Sequence, residues 1–262
     1  MSERIPYTSC PLCGHSMLLD AVIGNCAAHP LYHPSLSAVM RWKQCDSCRH
    51  VFTEGYYSAA ACQLIYARTN EHQQLGYGLE QQRSTSARMI EKVLPFVASG
   101  PWLDVGFGNG SLLFTAQEYG FTPLGLDIRA DNVNQISKMG IEAWCLDITR
   151  YVSDQACAVI SMADVLEHLP FPITALQAAH RLLAENAVLF VSMPNTDSMV
   201  WKMLDRDNMN PYWGELEHYH NFSRERLYAL LRQCGFEPVR YGISERYRAC
   251  MEVIARKLPM PA

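Results

Sequence analysis

The 262-residue sequence predicts an α/β fold, a mainly parallel sheet with helices on both faces, with a small cysteine-rich module at its N-terminus. Three observations predict it. Beyond Pro101, short apolar runs alternate with helical segments, the pattern of strands covered on both faces by crossover helices. The first of those runs ends in Leu103-Asp104-Val105-Gly106-Phe107-Gly108-Asn109-Gly110-Ser111, an acid and three alternating glycines directly ahead of a helical stretch. Two Cys-x-x-Cys pairs, Cys10/Cys13 and Cys45/Cys48, stand ahead of all of this.

Each pair can point two thiolates at one metal, and two pairs brought together make a tetrahedral sulfur site that suits zinc. The interval between the pairs is longer than in an ordinary ribbon, so an inserted loop is expected near residues 27–37. A redox dithiol and unconnected buried cysteines are the competing readings. His15, His29, His33 and His50 could replace a ligand, although lone histidines near such a site are commonly bystanders. Cys26, Cys62, Cys145, Cys157, Cys234 and Cys250 have no partner spacing and read as small core residues. A segment this short builds little core of its own, so a bound metal would supply fold stability. Four thiolates leave no open position, and the zinc is therefore read as structural. Residues 1–57 are assigned to this zinc-ribbon-like module.

Residues 58–95 read as a helical linker or cap. Met89, Ile90, Val93 and Leu94 recur at helical spacing, and Pro95 stops the run.

Residues 96–262 hold the α/β domain. Strands are expected at 102–105, 122–126, 142–146, 157–161, 187–192, 237–241 and 250–255, a seven-stranded Rossmann-like sheet whose ligand sits at the carboxyl ends of the strands. Alternate glycines let the backbone turn sharply out of a strand and approach a ligand, and the helix start offers free N–H groups. The spacing counts against two common occupants and leaves a nicotinamide oxidoreductase as a minor reading. A dinucleotide fingerprint needs glycine where Ser111 stands, and a P-loop needs a Gly-Lys-Ser/Thr ending that is absent. Asp104 beside the turn suits a cofactor with a cationic end and suits a pyrophosphate badly. Asp127 and Asp147 fall at further strand ends; alone, each could equally be a turn or cap residue.

The Asp104–Gly110 segment resembles the first motif of the class I S-adenosylmethionine-dependent methyltransferases. Gly125-Leu126-Asp127-Ile128 resembles the end of that family's second strand, where an acid holds the ribose hydroxyls. Cys145-Leu146-Asp147-Ile148 is similar to the motif beside the adenine, Ala163 to Leu169 to the segment after the fourth strand, and Met193-Pro194-Asn195 to the end of the fifth. The resemblance implies S-adenosylmethionine as cofactor, bound by Asp104, Gly106, Gly108, Gly110, Asp127, Ile128, Asp147, Ile148 and Ala163. It also implies that the helices before residue 95 cap the cofactor, with Tyr56, Tyr57, Tyr66 and Tyr77 as acceptor-pocket candidates or packing residues. Two family features are missing: the acid opening the fourth strand, at Gln155-Ala156-Cys157-Ala158, and the Pro-Gly-Gly turn, here Ala184-Glu185-Asn186-Ala187. Both are structural positions. Glu167 and His168 could equally fix a helix start or touch the ligand.

Methyl transfer is an in-line displacement, and what varies is how the acceptor loses its proton. Ala163-Asp164-Val165-Leu166 is not the Asn/Asp-Pro-Pro-Tyr/Phe tetrapeptide of adenine or glutamine methyltransferases, which favours O- or C-methylation of a small molecule. Candidate bases concentrate between Tyr212 and Ser223. The N-terminal ribbon and this Glu-His element together resemble deoxysugar C-methyltransferases, and that likeness implies His218 as base, Glu217 as its orienting group and His220 as the substitute base. An RNA methyltransferase is the alternative, since one family acting on a ribosomal guanine also opens with Cys-Pro-Leu-Cys and has an element similar to Arg49-His50-Val51-Phe52. Its ribbon should be basic, whereas here Arg4, Arg41, Lys43 and Arg49 are balanced by Glu3, Asp20, Asp46 and Glu54. A non-catalytic cofactor-binding protein is the third reading.

Composition bounds these choices. The formal charge is −4 with no long basic run, which demotes nucleic-acid partners. No apolar run is long enough for a membrane span, and the first residues lack a signal peptide's apolar core. A cytoplasmic protein is expected, its cysteines serving as thiols or metal ligands.

Overall fold

The structure, a computed structural model, describes residues 4–67 and 70–259. The N-terminal part is built from β1 (Arg4–Pro6), β2 (Leu18–Asn25), β3 (Val39–Cys45), β4 (Val51–Thr53) and β5 (Gly55–Tyr57). β2, β3 and β4 pair antiparallel, and β1 pairs with β5. The expected insertion is the connection between β2 and β3, folded on turn bonds such as Tyr32 N–H to His29 O and Leu36 N–H to His33 O.

Two helices follow. In α1 (Ala59–Ile65) the Ser58 side chain caps the first turn by accepting from Ala61 N–H. The longer α2 (Leu79–Val93) buries Met89, Ile90 and Val93, the face its periodicity predicts, and ends before Pro95.

The remaining chain forms β6 (Gly100–Val105), α3 (Ser111–Glu118), β7 (Phe121–Leu126), α4 (Ala130–Lys138), β8 (Glu142–Trp144), β9 (Cys157–Ala163), α5 (Pro172–Leu182), β10 (Leu183–Pro194), α6 (Met199–Arg206), β11 (His220–Asn221), α7 (Arg224–Gln233), β12 (Phe236–Ile243) and β13 (Cys250–Lys257). Seven of these strands make one sheet in the order β12-β13-β10-β9-β6-β7-β8. All are parallel except β13, which runs antiparallel to both neighbours. The seven expected strands are these seven. The inner strands β6, β7, β9, β10 and β13 read as largely apolar runs because both faces are covered, with Leu103, Ile160, Leu189 and Val253 wholly buried, whereas the edge strands β8 and β12 are only partly buried. Strand order reverses direction beside β6, so the crevice at the carboxyl ends of β6 and β9 is where such a sheet takes a ligand. In place of a Pro-Gly-Gly turn, Asn186 adopts the left-handed region at φ 62° where the pairing of β10 shifts register.

β11 does not join that sheet. His220 pairs with Phe52 and Asn221 with Val51, so residues from the C-terminal half supply the outer strand of the N-terminal sheet. The cores merge as well. Cys10, Leu12, Cys45 and Phe52 pack in the same cluster as Leu103, Ile160 and Phe222, while Trp42 and Met40 pack with Ile65, Leu216 and Tyr219. The ribbon therefore borrows the core it is too short to build, each fully buried large side chain contributing roughly 1.5–3 kcal/mol. No helix among the described residues is long and apolar enough to cross a membrane.

Candidate active site

The glycine turn leaves β6 at Val105 and enters α3 at Ser111. Gly106, Gly108 and Gly110 all take positive φ, at 68°, 51° and 77°. A Cβ on Gly106 would stand 2.9 Å from Val165, and one on Gly110 would stand 2.7 Å from Leu75, so the turn is both left-handed and closed in by neighbours. Gly106 N–H donates to Leu126 O at 2.7 Å, fastening the turn to the end of β7.

Two acids converge on it. Asp127 accepts from Gly108 N–H at 3.0 Å through Oδ2 and from Arg129 N–H at 2.8 Å through Oδ1. Asp104 is buried at the end of β6 and accepts from the Ser161 hydroxyl at 2.6 Å, which in turn accepts from Trp102 Nε1–H at 2.8 Å. Burial raises the Asp104 carboxyl to about 6, against the opposing pull of the Ser161 hydrogen bond. A cationic group entering beside it would restore its charge.

The other cofactor candidates separate. Ala163 is buried at the end of β9, and Ile128 is exposed beside Asp127. Asp147 is exposed and accepts from the amide and hydroxyl of Thr149, the capping role that a lone aspartate at a strand end can play. Ile148 points into the main core rather than toward the turn.

Arg129, which no motif singled out, braces the acids. Its guanidinium lies 3.7 Å from Asp127 and 3.8 Å from Glu217, donates to Gln73 Oε1 at 2.6 Å, and stands 5.8 Å above the Tyr66 ring. The segment before α2 closes the same side: Gln73 O accepts from Asn132, and Gly76 N–H donates to Asn109 O. Tyr77 offers its carbonyl to Asn109, whereas Tyr56 packs on Tyr7 and Phe171, and Tyr57 lies under Arg4 and against Tyr219.

The Glu-His element departs from expectation in two places. Glu217 is turned to Arg129, and its carbonyl, not its carboxylate, takes part in the histidine network through His168 Nδ1 at 3.1 Å; it does not orient His218. His220 is wholly buried with both ring nitrogens engaged, Nε2 by Leu169 O at 2.9 Å and Nδ1 by His50 Nε2 at 3.0 Å. It has no nitrogen left for an acceptor's proton. His218 is buried too, but its Nδ1 has no partner. Burial, reinforced by His168, holds the His218 imidazole well below its ordinary range and so uncharged. Its ring meets that of His168 edge-on at 4.6 Å. Glu167, buried and also carrying an unpartnered oxygen, is pushed well above the carboxylate range by burial and then by Asp164. Neither Glu167 nor His168 could be paired with His218 from sequence, because half a hundred residues and a strand intervene.

In the N-terminal ribbon, Cys10, Cys13, Cys45 and Cys48 come together, one sulfur from each within 4.8 Å of the others. Cys10 and Cys48 sulfurs are 3.6 Å apart, as are those of Cys13 and Cys45. A zinc–sulfur tetrahedron with bonds of about 2.3 Å has edges of about 3.8 Å, so the four sulfurs fit zinc. Three of the four histidines considered as substitute ligands are engaged elsewhere: His29 with Glu215, His33 with Ser35 N–H, and His50 with His220.

Comparison with known proteins agrees with this geometry. Residues 79–241 match the model of a protein family described as a methyltransferase domain. Among curated protein sequences no significant match is found. Similar solved structures include the N-methyltransferase NodS from Bradyrhizobium japonicum WM9, at 15% identity and TM-score 0.52, covering 70% of this chain and 99% of that one. An S-adenosylmethionine-dependent methyltransferase from Clostridium acetobutylicum ATCC 824 aligns at 12% identity and TM-score 0.54, covering 75% and 96%. Magnesium protoporphyrin IX methyltransferase from Synechocystis PCC 6803, with bound SAH, aligns at 15% identity and TM-score 0.52, covering 78% and 89%. At these identities the likeness is one of fold.

Proposed function

Since the chain belongs to the S-adenosylmethionine-dependent methyltransferases, we propose that it methylates an oxygen or carbon of a small-molecule acceptor, with a structural zinc in the four-cysteine ribbon. When bound, S-adenosylmethionine supplies a methyl group activated on a sulfonium. In this reading Asp104 holds the cofactor's ammonium end, Asp127 its ribose hydroxyls, and the glycine turn admits its amino-acid tail without side chains in the way.

The observation that carries the acceptor assignment is the sheltered group of Glu167, His168 and His218, with Glu167 Oε2 and His218 Nδ1 both buried and unpartnered. Such atoms cost free energy in a folded protein unless a ligand completes them. A group this enclosed suits a small acceptor better than a nucleic acid. Three of the ribbon's four cations support the same choice, because Arg4 is engaged by Gly55 O, Arg41 by Glu54 and Lys43 by Asp20. His218 is the group assigned to the acceptor's proton, with His168 positioning it edge-on. A reducing compartment such as the cytoplasm goes with this reading, because a four-thiolate metal site needs its cysteines reduced.

The test uses methyl-labelled S-adenosylmethionine against a panel of hydroxylated and enolisable small molecules and against total RNA. Label is expected in a small molecule; label confined to RNA would replace this reading with the nucleic-acid one.

A further inference from the structure

Glu167, His168 and His218 are the types of residue that bind transition metals, and the fold ties together the two segments that carry them. Tyr219 N–H donates to Glu167 O at 2.7 Å, and His168 Nδ1 meets Glu217 O at 3.1 Å. A carbonyl can only accept, so His168 Nδ1 carries the proton and its Nε2 keeps a lone pair. Fixing the tautomer by donation to a backbone carbonyl is how proteins commonly prepare a metal-binding histidine.

One ligand atom from each of the three side chains lies within 4.8 Å of the other two. Glu167 is 1% and His218 6% exposed, and each presents a buried atom with no hydrogen-bond partner. A carboxyl group and two imidazoles crowded together with unsatisfied atoms gain nothing from one another, whereas a divalent cation would complete both.

We propose that Glu167, His168 and His218 form a binding site for a divalent first-row transition-metal ion, separate from the four-cysteine site. Two histidines and one carboxylate on one face of an ion make a three-ligand site with open positions, the arrangement suited to zinc, manganese, iron(II) or cobalt(II). Metal–ligand bonds of about 2.1 Å place ligand atoms roughly 3–3.5 Å apart, so the three atoms draw in from their present separations on binding. The site's existence stands on this geometry; its use rests on the methyltransferase reading, where an ion held here would lower an acceptor oxygen's affinity for its proton and His218 would serve as a ligand in place of the base assigned to it above.

The experiment titrates the full-length, zinc-loaded protein with manganese(II) alone, followed by the loss of the free-ion electron paramagnetic resonance signal, because a hard ion does not compete for four thiolates. A parallel cobalt(II) titration of metal-free protein distinguishes the sites: the cysteine site gives sulfur-to-cobalt charge transfer, the proposed one weak ligand-field bands without it. One manganese equivalent is expected, and Glu167→Gln and His168→Asn should each weaken it by more than about tenfold. The inference is overturned if wild-type protein takes up no manganese and no cobalt beyond the sulfur-bound equivalent, or if binding survives both substitutions undiminished. Calorimetry with S-adenosylhomocysteine on the same samples separates the two readings. Cofactor binding without a second metal ends the inference alone, and a second metal without cofactor binding ends the methyltransferase reading while the site stands.

Discussion

His220 Nδ1 lies 3.0 Å from His50 Nε2, and at that contact the cysteine ribbon and the α/β domain become one hydrogen-bonded unit. His220 Nε2 faces Leu169 O, so it carries the proton, and Nδ1 accepts from His50 Nε2–H. Truncation by His220→Ala leaves a donor and a carbonyl unpaired in a wholly buried place and opens a cavity. The expected loss of stability is about 3–5 kcal/mol. Urea unfolding measures it, and an unchanged midpoint would show that the joint is held elsewhere.

Gly24 tests the same joint from its other edge. An added Cβ there would overlap the Trp213 carbonyl, the group that also accepts from Trp42 Nε1–H at 3.0 Å. Because the obstacle is backbone, it cannot swing aside. Gly24→Ala should cost about 3 kcal/mol or more and shift the Trp fluorescence, whereas Gly242 in β12, with no left-handed backbone and only the Lys92 ammonium at 4.0 Å from its Cβ position, is the comparison for a change that meets no obstacle.

The cofactor reading is tested at Asp127. Its two oxygens already accept from Gly108 and Arg129 amides, so the carboxylate is held rigidly at the turn before any ligand arrives. Asp127→Ala frees the Gly108 and Arg129 amides and, on the proposed reading, takes away the carboxylate that would hold the ribose. Affinity for S-adenosylhomocysteine should fall by roughly 100-fold or more, about 3 kcal/mol, by calorimetry. A loss of less than about threefold would mean that the ribose lies elsewhere.

Asp104 makes the same affinity depend on pH. Burial moves its carboxyl from 3.8 to about 6, so the free folded protein holds a proton there that the unfolded chain releases. The sign follows: this group favours the fold at low pH, and that contribution fades as pH rises through about 6. Cofactor binding runs the other way, since the ammonium needs the charged carboxylate. Affinity should therefore fall toward about tenfold per pH unit below 6, and Asp104→Asn should flatten the profile. A wild-type profile flat between pH 5 and 7.5 would remove Asp104 from the cofactor's contacts.

These sites differ in how far the sequence alone discloses them. The inner sheet strands and the glycine turn are legible because each depends on neighbours in sequence: a doubly covered strand is apolar nearly throughout, and a left-handed turn wants glycine, whereas the partly buried edge strands β8 and β12 are found only from their place in the alternation with helices. Asp127 is legible for the same reason, standing at the end of β7. β11 is not, since two residues carry no periodicity and His220 becomes a strand only by pairing with Phe52. The base assignment suffers likewise. His218 and His220 are two residues apart and look interchangeable, yet the surrounding fold engages both nitrogens of one and leaves Nδ1 of the other unpartnered. Arg129 has no motif at all; its importance comes from Gln73 and Glu217, which the fold brings to it.

Metal removal tests whether the ribbon is an appendage or part of one folding unit. Were it separate, a chelator would melt it alone and leave the α/β domain intact. Cys10 and Cys45, however, pack in the cluster that holds Leu103 and Ile160, and β11 hydrogen-bonds across the boundary. Freed thiols at Cys45, which is wholly buried, would therefore loosen side chains that the large sheet also rests on. Stripping zinc should lower the midpoint of a single thermal transition by roughly 10 °C, and Cys45→Ser should do the same without chelator. Two separate transitions in calorimetry, the upper one at the native midpoint, would show that the shared core does not couple them.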